Sequence, residues 1–454
     1  MALSVLSIDA AWQRVIKGLV LCWPSPAVFS TSAVPGEDGQ RLQLISRGIV
    51  LTASQLTKLD GTRRSKAAPL KSTDPIRRTN LSLILGLLHR GGPLSRANLT
   101  KRTGLNRSTI GALVAELGDL GLAYETEPPA IGRVGRPSPL VHPNEKVAAL
   151  AINPDVDAVT VGLVGLGGHV HRRIRHEAAT QPSVTETVNI SRAIVEGMQA
   201  DLDAMDRITG VGLAVPGLVR SSDGQILLAP HLQWADEPLA AFLEQALSRP
   251  VRAGNDATLG SLAESIYGAA VGISDVVYLN GSASGIGGGV ISGARTLRGS
   301  AGFAGELGHT LVRTGGEKCH CGRSGCLDAE VRLERLLAPL GLARADQDEL
   351  ERAIAGPPSR ELQKEVERQI DLLAVALTNF VNIFNPEMIV LGGFLGSIFS
   401  LDPERLISAV ARETIGGLGA DVKIKRTVLG SELLLVGAAE LAFAQLLADP
   451  AGTA

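Results

Sequence analysis

A histidine and three cysteines lie close together in one glycine-rich stretch of this 454-residue chain, which has only four cysteines. His309 is followed by Cys319, Cys321 and Cys326. Three thiolates and one imidazole form a closed tetrahedral set, which suits a structural Zn²⁺ site. A disulfide is the alternative, but three clustered cysteines leave one unpaired, and Cys319 and Cys321 are too close along the chain to bridge comfortably. The spacing therefore predicts zinc, which would fix His309 and Glu306 beside a neighbouring pocket.

The residues of this cluster resemble the signature of a known family. GELGH at residues 305–309 and CHCGRSGC at residues 319–326 match the patterns GExGH and CxCGxxGC of the ROK family (repressors, open reading frames and kinases). Members of that family are sugar kinases or sugar-responsive transcriptional repressors. The resemblance runs from about residue 75 to about residue 447. It implies an α/β chain with a duplicated actin-like ATPase fold, preceded by an N-terminal winged helix-turn-helix domain.

The resemblance also implies a sugar pocket. The implied sugar-binding residues are Asn255, Asp256, Glu306, His309 and Asp328. In ROK kinases the aspartate equivalent to Asp256 removes a proton from the sugar hydroxyl. Taken alone, Asn255 and Asp256 are ordinary helix-capping residues after a predicted strand. Two positions depart from the family pattern, because Asp328 replaces Glu and His231 replaces Asn, so the particular hexose is not predicted.

Charge and turn-forming residues divide the chain. Residues 1–73 have scattered prolines and glycines and no sustained period, which is typical of a mostly disordered extension. Residues 75–140 carry nine Lys/Arg against four Asp/Glu, although the formal net charge of the whole chain is -2. This asymmetry indicates a small basic module on an acidic body. We expect the module at residues 74–143 and the sugar-sensing body at residues 147–450.

Three helices and a two-stranded wing are predicted in the basic module. Helical periods follow Asn80, Ser95 and Asn106 or Ser108, with a tight turn at residues 103–105 between the second and third helices. The run SRANLTKRTGLNRSTIGALVAEL, followed by GRP, resembles the winged helix-turn-helix of ROK repressors, whose third helix enters the major groove of DNA. For one arginine alone, a solvated surface charge is the simpler interpretation. The predicted DNA-binding residues are Arg96, Lys101, Arg102, Arg107, Ser108, Thr109, Arg133 and Arg136.

Two halves of alternating strands and helices are predicted beyond residue 147. Each half opens with a meander, at residues 147–174 and from residue 276, and continues with alternating elements. Predicted helices include residues 185–205, 235–247, 257–271 and 360–384. Two such halves predict a duplicated α/β architecture with a cleft between them.

The turn after the first strand of the body decides between a kinase and a regulator. A kinase needs backbone N–H groups that approach phosphate closely, and ROK kinases have a glycine-rich turn there. This chain has Asn153-Pro154-Asp155-Val156-Asp157. Proline has no N–H, no glycine is present, and two aspartates repel an anion. The second glycine run, residues 285–289, is retained, and a hairpin turn explains it as well as a nucleotide does.

The expected function is therefore a sugar-responsive DNA-binding repressor of carbohydrate metabolism genes and not an enzyme. A ROK sugar kinase, a bifunctional kinase and regulator, and a regulator whose pocket no longer binds sugar are the alternatives. Expected partners are operator DNA, a sugar or sugar phosphate effector, and further copies in a homodimer or tetramer. Unoxidised thiols indicate a cytoplasmic location. We expect no membrane partner, since no apolar run approaches the roughly 20 residues that a membrane helix needs.

Overall fold

The computed structural model describes residues 75–127, 138–300 and 302–452. The predicted disordered extension at residues 1–73 lies outside the described residues, and so do the wing arginines Arg133 and Arg136. Everything described belongs to one unit of the chain, Leu70–Ala454.

In the described part of the N-terminal module, residues 75–127 and 138–143, there are three helices and three short strands. Its elements are α1 (Pro75–Gly91), β1 (Leu94–Ser95), α2 (Arg96–Thr103), α3 (Arg107–Asp119), β2 (Ala123–Thr126) and β3 (Leu140–Pro143). The side chains of Ser95 and Asn106 accept hydrogen bonds from the backbone at the starts of α2 and α3, as capping residues do. Gly104 has a φ of 71° at the end of α2, a conformation that glycine adopts without strain. The helix-turn-helix predicted here is present, with β1-β3-β2 forming an antiparallel sheet beside it.

The body contains thirteen further strands and eleven further α-helices among the described residues. The strands are β4 (Val147–Pro154), β5 (Ala158–Gly165), β6 (Val170–Glu177), β7 (Arg207–Val215), β8 (Leu218–Val219), β9 (Ile226–Ala229), β10 (Trp234–Glu237), β11 (Val251–Asn255), β12 (Val276–Ser282), β13 (Gly285–Ser292), β14 (Arg295–Thr296), β15 (Met388–Gly392) and β16 (Lys423–Arg426). The helices are α4 (Val184–Gly197), α5 (Gln199–Asp203), α6 (Leu239–Leu247), α7 (Asp256–Tyr267), α8 (Leu327–Glu330), α9 (Leu333–Leu337), α10 (Gln347–Ile354), α11 (Arg360–Phe384), α12 (Gly393–Leu401), α13 (Pro403–Glu413) and α14 (Leu433–Ala448).

Two five-stranded sheets repeat one topology. Their strand orders are β11-β7-β4-β5-β6 and β14-β13-β12-β15-β16. In each sheet the first strand pairs antiparallel with the second and parallel with the fourth. The predicted duplication of an α/β unit is therefore confirmed, and the two sheets define a first lobe and a second lobe with a cleft between them.

Strand β4 is buried along nearly its whole length. Because alternate residues of a strand point to opposite faces of the sheet, its side chains enter two different cores. Leu150 and Ile152 pack in a core with helices α4 and α6, whereas Ala149 and Ala151 pack towards α14. Helix α14 lies against the first sheet so closely that a Cβ on Gly212 would fall 1.8 Å from the carbonyl oxygen of Ala438. The chain thus leaves the second lobe and returns to complete the core of the first.

The stretch Gly430–Ala448 is long and apolar enough to cross a membrane by length and composition alone. The expectation that no apolar run approaches that length was therefore wrong. In this fold 61% of the stretch is buried inside the protein, between the first sheet and α7, which is the behaviour of a core helix.

Two predicted helices of the first lobe need correction. The predicted helix at residues 235–247 begins only at Leu239, because Trp234–Glu237 pairs with β9 as strand β10. The predicted helix at residues 185–205 is divided into α4 and α5 at Met198, which lies between them.

Candidate functional site

The start of helix α7 places two polar residues at the end of strand β11. The side-chain oxygen of Asn255 accepts a hydrogen bond from the Thr258 amide (2.9 Å), and its Nδ2 donates to the carbonyl of Gly217 (3.1 Å). Asp256 accepts from the Ala257 amide (2.7 Å) and is 7% exposed. The Asn255 side chain therefore holds the end of the strand, while Asp256 presents a buried carboxyl group.

A cavity of about 430 Å³ lies beside Asp256. The five predicted sugar-binding residues all line it: Asn255, Asp256, Glu306, His309 and Asp328. The cavity also has apolar walls, including Leu218, Leu228 and Ile286. A cavity of this size with a few convergent polar groups is typical of a small-molecule site.

Burial dominates the electrostatics of the cavity. It raises the pKa of Asp256 to about 7, and the negative charges of Asp155 and Glu306 act in the same direction, while the Ala257 amide opposes them. Burial also raises the pKa of Glu306, although His309 counteracts this. A carboxyl group that titrates near neutrality can accept or donate a proton at a bound hydroxyl group.

Asp328 reaches the cavity from the second lobe. Its Oδ1 accepts a hydrogen bond from the Ile286 amide (2.7 Å), and its Oδ2 lies 3.4 Å from His320 Nδ1 and 3.8 Å from His231 Nε2. Burial alone would raise the pKa of Asp328, but hydrogen bonding by His231 and the Ile286 amide holds it below its usual value. Asp328 is therefore a charged group at the boundary between the lobes.

Sequence reasoning missed the role of His320 and noted His231 only as a departure from a family pattern. The two imidazole rings pack edge to face with centroids 3.9 Å apart, and both line the cavity. His231 comes from the first lobe, and His320 lies between Cys319 and Cys321 in the cysteine-containing loop of the second. Because their positions in the chain are far apart, no spacing in the sequence indicates that they meet.

The predicted metal ligands converge. One ligand atom from each of His309, Cys319, Cys321 and Cys326 lies within 4.8 Å of the others. The Cys321 and Cys326 sulfurs are 3.7 Å apart, and Cys319 Sγ is 3.6 Å from His309 Nδ1. A tetrahedron with Zn–S bonds of about 2.3 Å and a Zn–N bond of about 2.1 Å has edges of roughly 3.6–3.8 Å. The cysteines are free, so the residues fit a zinc ion and not a disulfide.

Glycines and a buried glutamate shape the loop at residues 309–326, which carries the predicted metal ligands. Gly325 has a φ of 80°, and a Cβ there would lie 1.7 Å from the carbonyl oxygen of Arg313. Glu330 is buried and accepts a hydrogen bond from the Glu317 amide (2.7 Å). These contacts fix the ends of the loop that carries the three cysteines.

The turn after β4 uses its own N–H groups. The Asp155 amide donates to the carbonyl of Ala158 (2.7 Å), and the Val156 amide donates to the Asp155 side chain (2.7 Å). Asp157 forms an ion pair with Arg175 (2.8 Å). Burial and the charge of Asp157 raise the pKa of Asp155 to about 6. With Pro154 lacking an N–H, this turn presents carboxylates to the cleft.

The six predicted DNA-binding residues that the structure describes lie on helices α2 and α3. Arg107 and Ser108 are exposed in the first turn of α3, and Lys101 and Arg102 are exposed in the last turn of α2. Thr109 is half-buried. Arg96 forms an ion pair with Glu125 and passes Gly111, where a Cβ would lie 3.5 Å from its Nη1. An alanine at position 111 would therefore be in ordinary van der Waals contact with the Arg96 side chain.

Comparison with known proteins shows that both the N-terminal module and the body are similar to ROK family proteins. A model of the ROK family matches residues 150–445. The xylose repressor of Caldicellulosiruptor bescii is 29% identical over 399 residues, which cover 83% of this chain and 98% of that protein. Among solved structures, a ROK family transcriptional regulator, homologous to the Escherichia coli MLC protein, has a TM-score of 0.65 and 26% identity, covering 83% of this chain and 98% of its own. A ROK hexokinase from Thermus thermophilus has a TM-score of 0.52 and 30% identity, covering 66% of this chain and 99% of its own.

Proposed function

This chain belongs to the ROK family, and from that premise we propose that it is a sugar-responsive, DNA-binding transcriptional repressor of carbohydrate metabolism genes. The observation that carries the proposal is a helix-turn-helix module joined to a body with a cavity of about 430 Å³, into which several polar side chains converge. The alignment with a xylose repressor over 98% of that repressor supports it. Residues 74–143 bind DNA in this proposal, and residues 147–450 bind the effector.

The effector is a sugar or a sugar phosphate. Its hydroxyl groups bind Asn255, Asp256, Glu306, His309 and Asp328. A hydroxyl group both donates and accepts, so a cavity that alternates carboxylates with imidazole N–H groups suits a polyhydroxylated ligand. The apolar walls support the same conclusion, because they contact the C–H faces of a sugar ring.

Zinc is the metal that the loop fits. His309, through Nδ1, and the sulfurs of Cys319, Cys321 and Cys326 would hold the ion. It would supply the positive charge that keeps three thiolates together and would fold the loop. With Nδ1 on the metal, the proton of His309 is on Nε2, and this second nitrogen becomes a donor for the effector.

DNA contacts come from the exposed side of the helix-turn-helix. Arg107, Ser108 and Thr109 read base edges, while Lys101 and Arg102 contact phosphates. Arg96 joins them if its ion pair with Glu125 opens. Arg133 and Arg136, outside the described residues, complete the predicted wing. A homodimer or tetramer would place two modules on one operator, and the cytoplasm supplies both DNA and reducing conditions.

The kinase alternative rests on the glycine run at residues 285–289 and on the likeness to a hexokinase. Against it stands the turn after β4, whose Asp155 and Val156 amides are already used within the turn. Purified protein with ATP, magnesium and a panel of aldoses should form no sugar phosphate. Turnover that disappears in Asp256→Ala would instead establish a kinase.

Two binding measurements test the proposal. A duplex should be enriched by the protein from a random DNA pool, and one aldopentose, aldohexose or N-acetylhexosamine should raise the melting temperature and change the affinity for that duplex. Asp256→Ala should remove the thermal shift while leaving DNA affinity without sugar within about twofold. Asp421→Ala, an exposed position outside the cavity, is the matched control. Loss of DNA binding in folded Asp256→Ala, or no enriched duplex at all, would contradict the proposal.

A further inference from the structure

Helix α1 of the N-terminal module runs along helix α14 of the body. Three polar contacts join them: Arg78 with Asp449, Ser82 Oγ with the carbonyl oxygen of Leu447 (2.6 Å), and His89 Nε2 with Glu440 Oε1 (2.8 Å). The first lies at the exposed end of the pair. His89 is 0% exposed and Glu440 is 7% exposed, so the third contact is inside the protein.

His89 has a defined proton arrangement. Its Nδ1 accepts a hydrogen bond from the Gly167 amide (3.0 Å), which leaves the ring proton on Nε2. Nε2 lies 2.8 Å from both Glu440 Oε1 and the Tyr267 hydroxyl oxygen, and that hydroxyl donates to Glu440 Oε1 (2.9 Å). Tyr267 and Glu440 therefore bond to each other within the body, and each makes its second contact, to His89 Nε2, only while α1 stays in place.

Tyr267 is the last residue of α7, and Asp256 is the first. Twelve residues of α-helix span about 17 Å, so one rigid element has one end in the cavity and the other against the N-terminal module. Glu264 links the far half of α7 to neighbouring segments, since its carboxylate accepts from the amides of Ala269 (2.6 Å) and Val428 (3.0 Å). Because α7 is one continuous helix, we expect a displacement at Asp256 to move Tyr267 as well.

We propose that His89, Tyr267 and Glu440 are positioning residues that couple occupation of the sugar cavity to the placement of the N-terminal module. The inference rests on the proposed function, which supplies the two ligands to be coupled. It adds the contact through which each ligand affects the other.

Two discrete arrangements follow from the chemistry of the group. In the arrangement described here, the buried side chains of His89 and Glu440 and the half-buried hydroxyl of Tyr267 bond to one another. A shift of Tyr267 by about 1 Å breaks a hydrogen bond, and a buried polar group without a partner is costly, so α1 moves away and His89 and Glu440 become hydrated. Ligand bound at Asp256 changes the balance because it contacts α7 differently in the two arrangements.

Tyr267→Phe is the test, and Tyr278→Phe is its matched control. Both tyrosines belong to the body, and the buried hydroxyl of Tyr278 has no hydrogen-bond partner among the described residues. Each variant removes one oxygen atom. In the full chain without ligand, hydrogen–deuterium exchange of residues 75–91 should be faster in Tyr267→Phe than in Tyr278→Phe. Equal exchange in the two variants would overturn the inference.

The second readout is the change in affinity for the enriched DNA duplex caused by the sugar that stabilises the wild-type protein. Tyr267→Phe should reduce this change by about fivefold or more, which is within the usual range of coupling between sites. Its affinity for sugar should stay within about twofold, and Tyr278→Phe should match the wild type throughout. A purely structural contact would lower stability without altering the coupling.

The two ideas fail in different ways. A wild-type protein that binds no DNA or no sugar overturns the proposed function, and this inference with it. Intact DNA and sugar binding, with the same coupling in Tyr267→Phe and Tyr278→Phe, overturns the inference alone.

Discussion

The buried carboxyl group of Asp256 lowers the stability of the folded state when it is charged. Burial raises its pKa to about 7, and Asp155 and Glu306 add repulsion, so the charged form is disfavoured where it lies. In a kinase such a group would accept a proton from the substrate. In the function proposed here the same group remains useful as an acceptor for a sugar hydroxyl, and its charge opposes folding unless a ligand offsets it.

Asp256→Asn should change how stability depends on pH. An unfolded aspartate titrates near 3.8 and Asp256 near 7, so between these values the folded state binds more protons than the unfolded state. The wild-type free energy of unfolding therefore falls as pH rises from about 4 to about 7. The asparagine variant lacks the contribution of Asp256 to this fall and should be more stable than the wild type by roughly 2–4 kcal/mol at pH 8, with little difference at pH 4. Urea denaturation from pH 4 to pH 8 measures this, with Asp421→Asn as control. Parallel curves for the wild type and Asp256→Asn would show that Asp256 is not the responsible group.

His231→Asn should alter the choice of sugar. The His231 ring packs on His320 and approaches Asp328 at 3.8 Å, so a shorter side chain enlarges the cavity on that side. We expect the ratio of dissociation constants to shift by about tenfold towards sugars with a bulkier substituent, such as N-acetylhexosamines. Titration calorimetry with paired parent and N-acetylated sugars gives the ratio. His176→Asn, an exposed position on β6 outside the cavity, should leave it unchanged. An unaltered ratio in His231→Asn would remove His231 from the specificity site.

At the scale of elements, helix α3 contains a glycine that the fold does not require for its backbone. Gly111 has no positive φ, and a Cβ there would meet only the Arg96 guanidinium at an ordinary 3.5 Å. Glycine inside a helix costs conformational entropy relative to alanine. Any advantage of glycine over alanine at position 111 must therefore come from the free space that glycine leaves on the surface of α3.

Gly111→Ala should stabilise the protein by about 1 kcal/mol, because alanine is the better helix former. The midpoint of urea denaturation, with the transition of the N-terminal module followed by exchange of residues 107–119, measures the gain. Gly104→Ala should do the opposite, since Gly104 has a φ of 71°. A loss of stability in Gly111→Ala would show that the close approach of Arg96 matters more than helix propensity.

The elements differ in how well the sequence predicted them. Helix α11 was predicted with its observed bounds, because Leu373, Leu377 and Val381 continue one long apolar stripe that few other structures produce. Strands β8 to β10 were missed, since two to four residues are too few to show an alternating pattern. Residues 235–237 were predicted as the start of a helix. They instead continue strand β10 from Trp234, and this strand pairs with β9.

The sequence predicted some of the residues of the candidate site and missed others. Asn255, Asp256 and the metal ligands occur in local motifs, so their grouping could be predicted from the family resemblance. The approach of His231 to Asp328 and the group formed by His89, Tyr267 and Glu440 join residues that are far apart in the chain. Such contacts depend on the completed fold, and a single sequence carries no local signal for them.

At the scale of the whole molecule, the Cys/His cluster that is proposed to bind zinc is continuous with the cavity. His309 belongs to both, and Asp328 lies 3.9 Å from Cys319 Sγ. The loop between them has little core of its own, since Cys319, Cys326 and Ala329 form a separate small cluster. The metal is therefore expected to support sugar binding as well as folding.

Removal of zinc should lower the melting temperature and remove the sugar-induced thermal shift, because His309 loses its fixed orientation. Elemental analysis should find one zinc per chain before treatment with a chelator and none after it. Addition of Zn²⁺ should restore both properties, and Cys326→Ser should resemble the chelated protein. A chelated protein with its full sugar response would show that the loop is organised without the ion.

The return of α14 to the first lobe has a consequence for biosynthesis. His89 and its partner Glu440 are 351 positions apart, so the surface that receives α1 does not exist until nearly all of the described chain has left the ribosome. During translation the helix-turn-helix can fold early, but helix α14, against which α1 packs, has not yet been synthesised. A fragment that ends before residue 433 would lack Glu440 and the rest of α14, so its helix-turn-helix could not make the contact through His89.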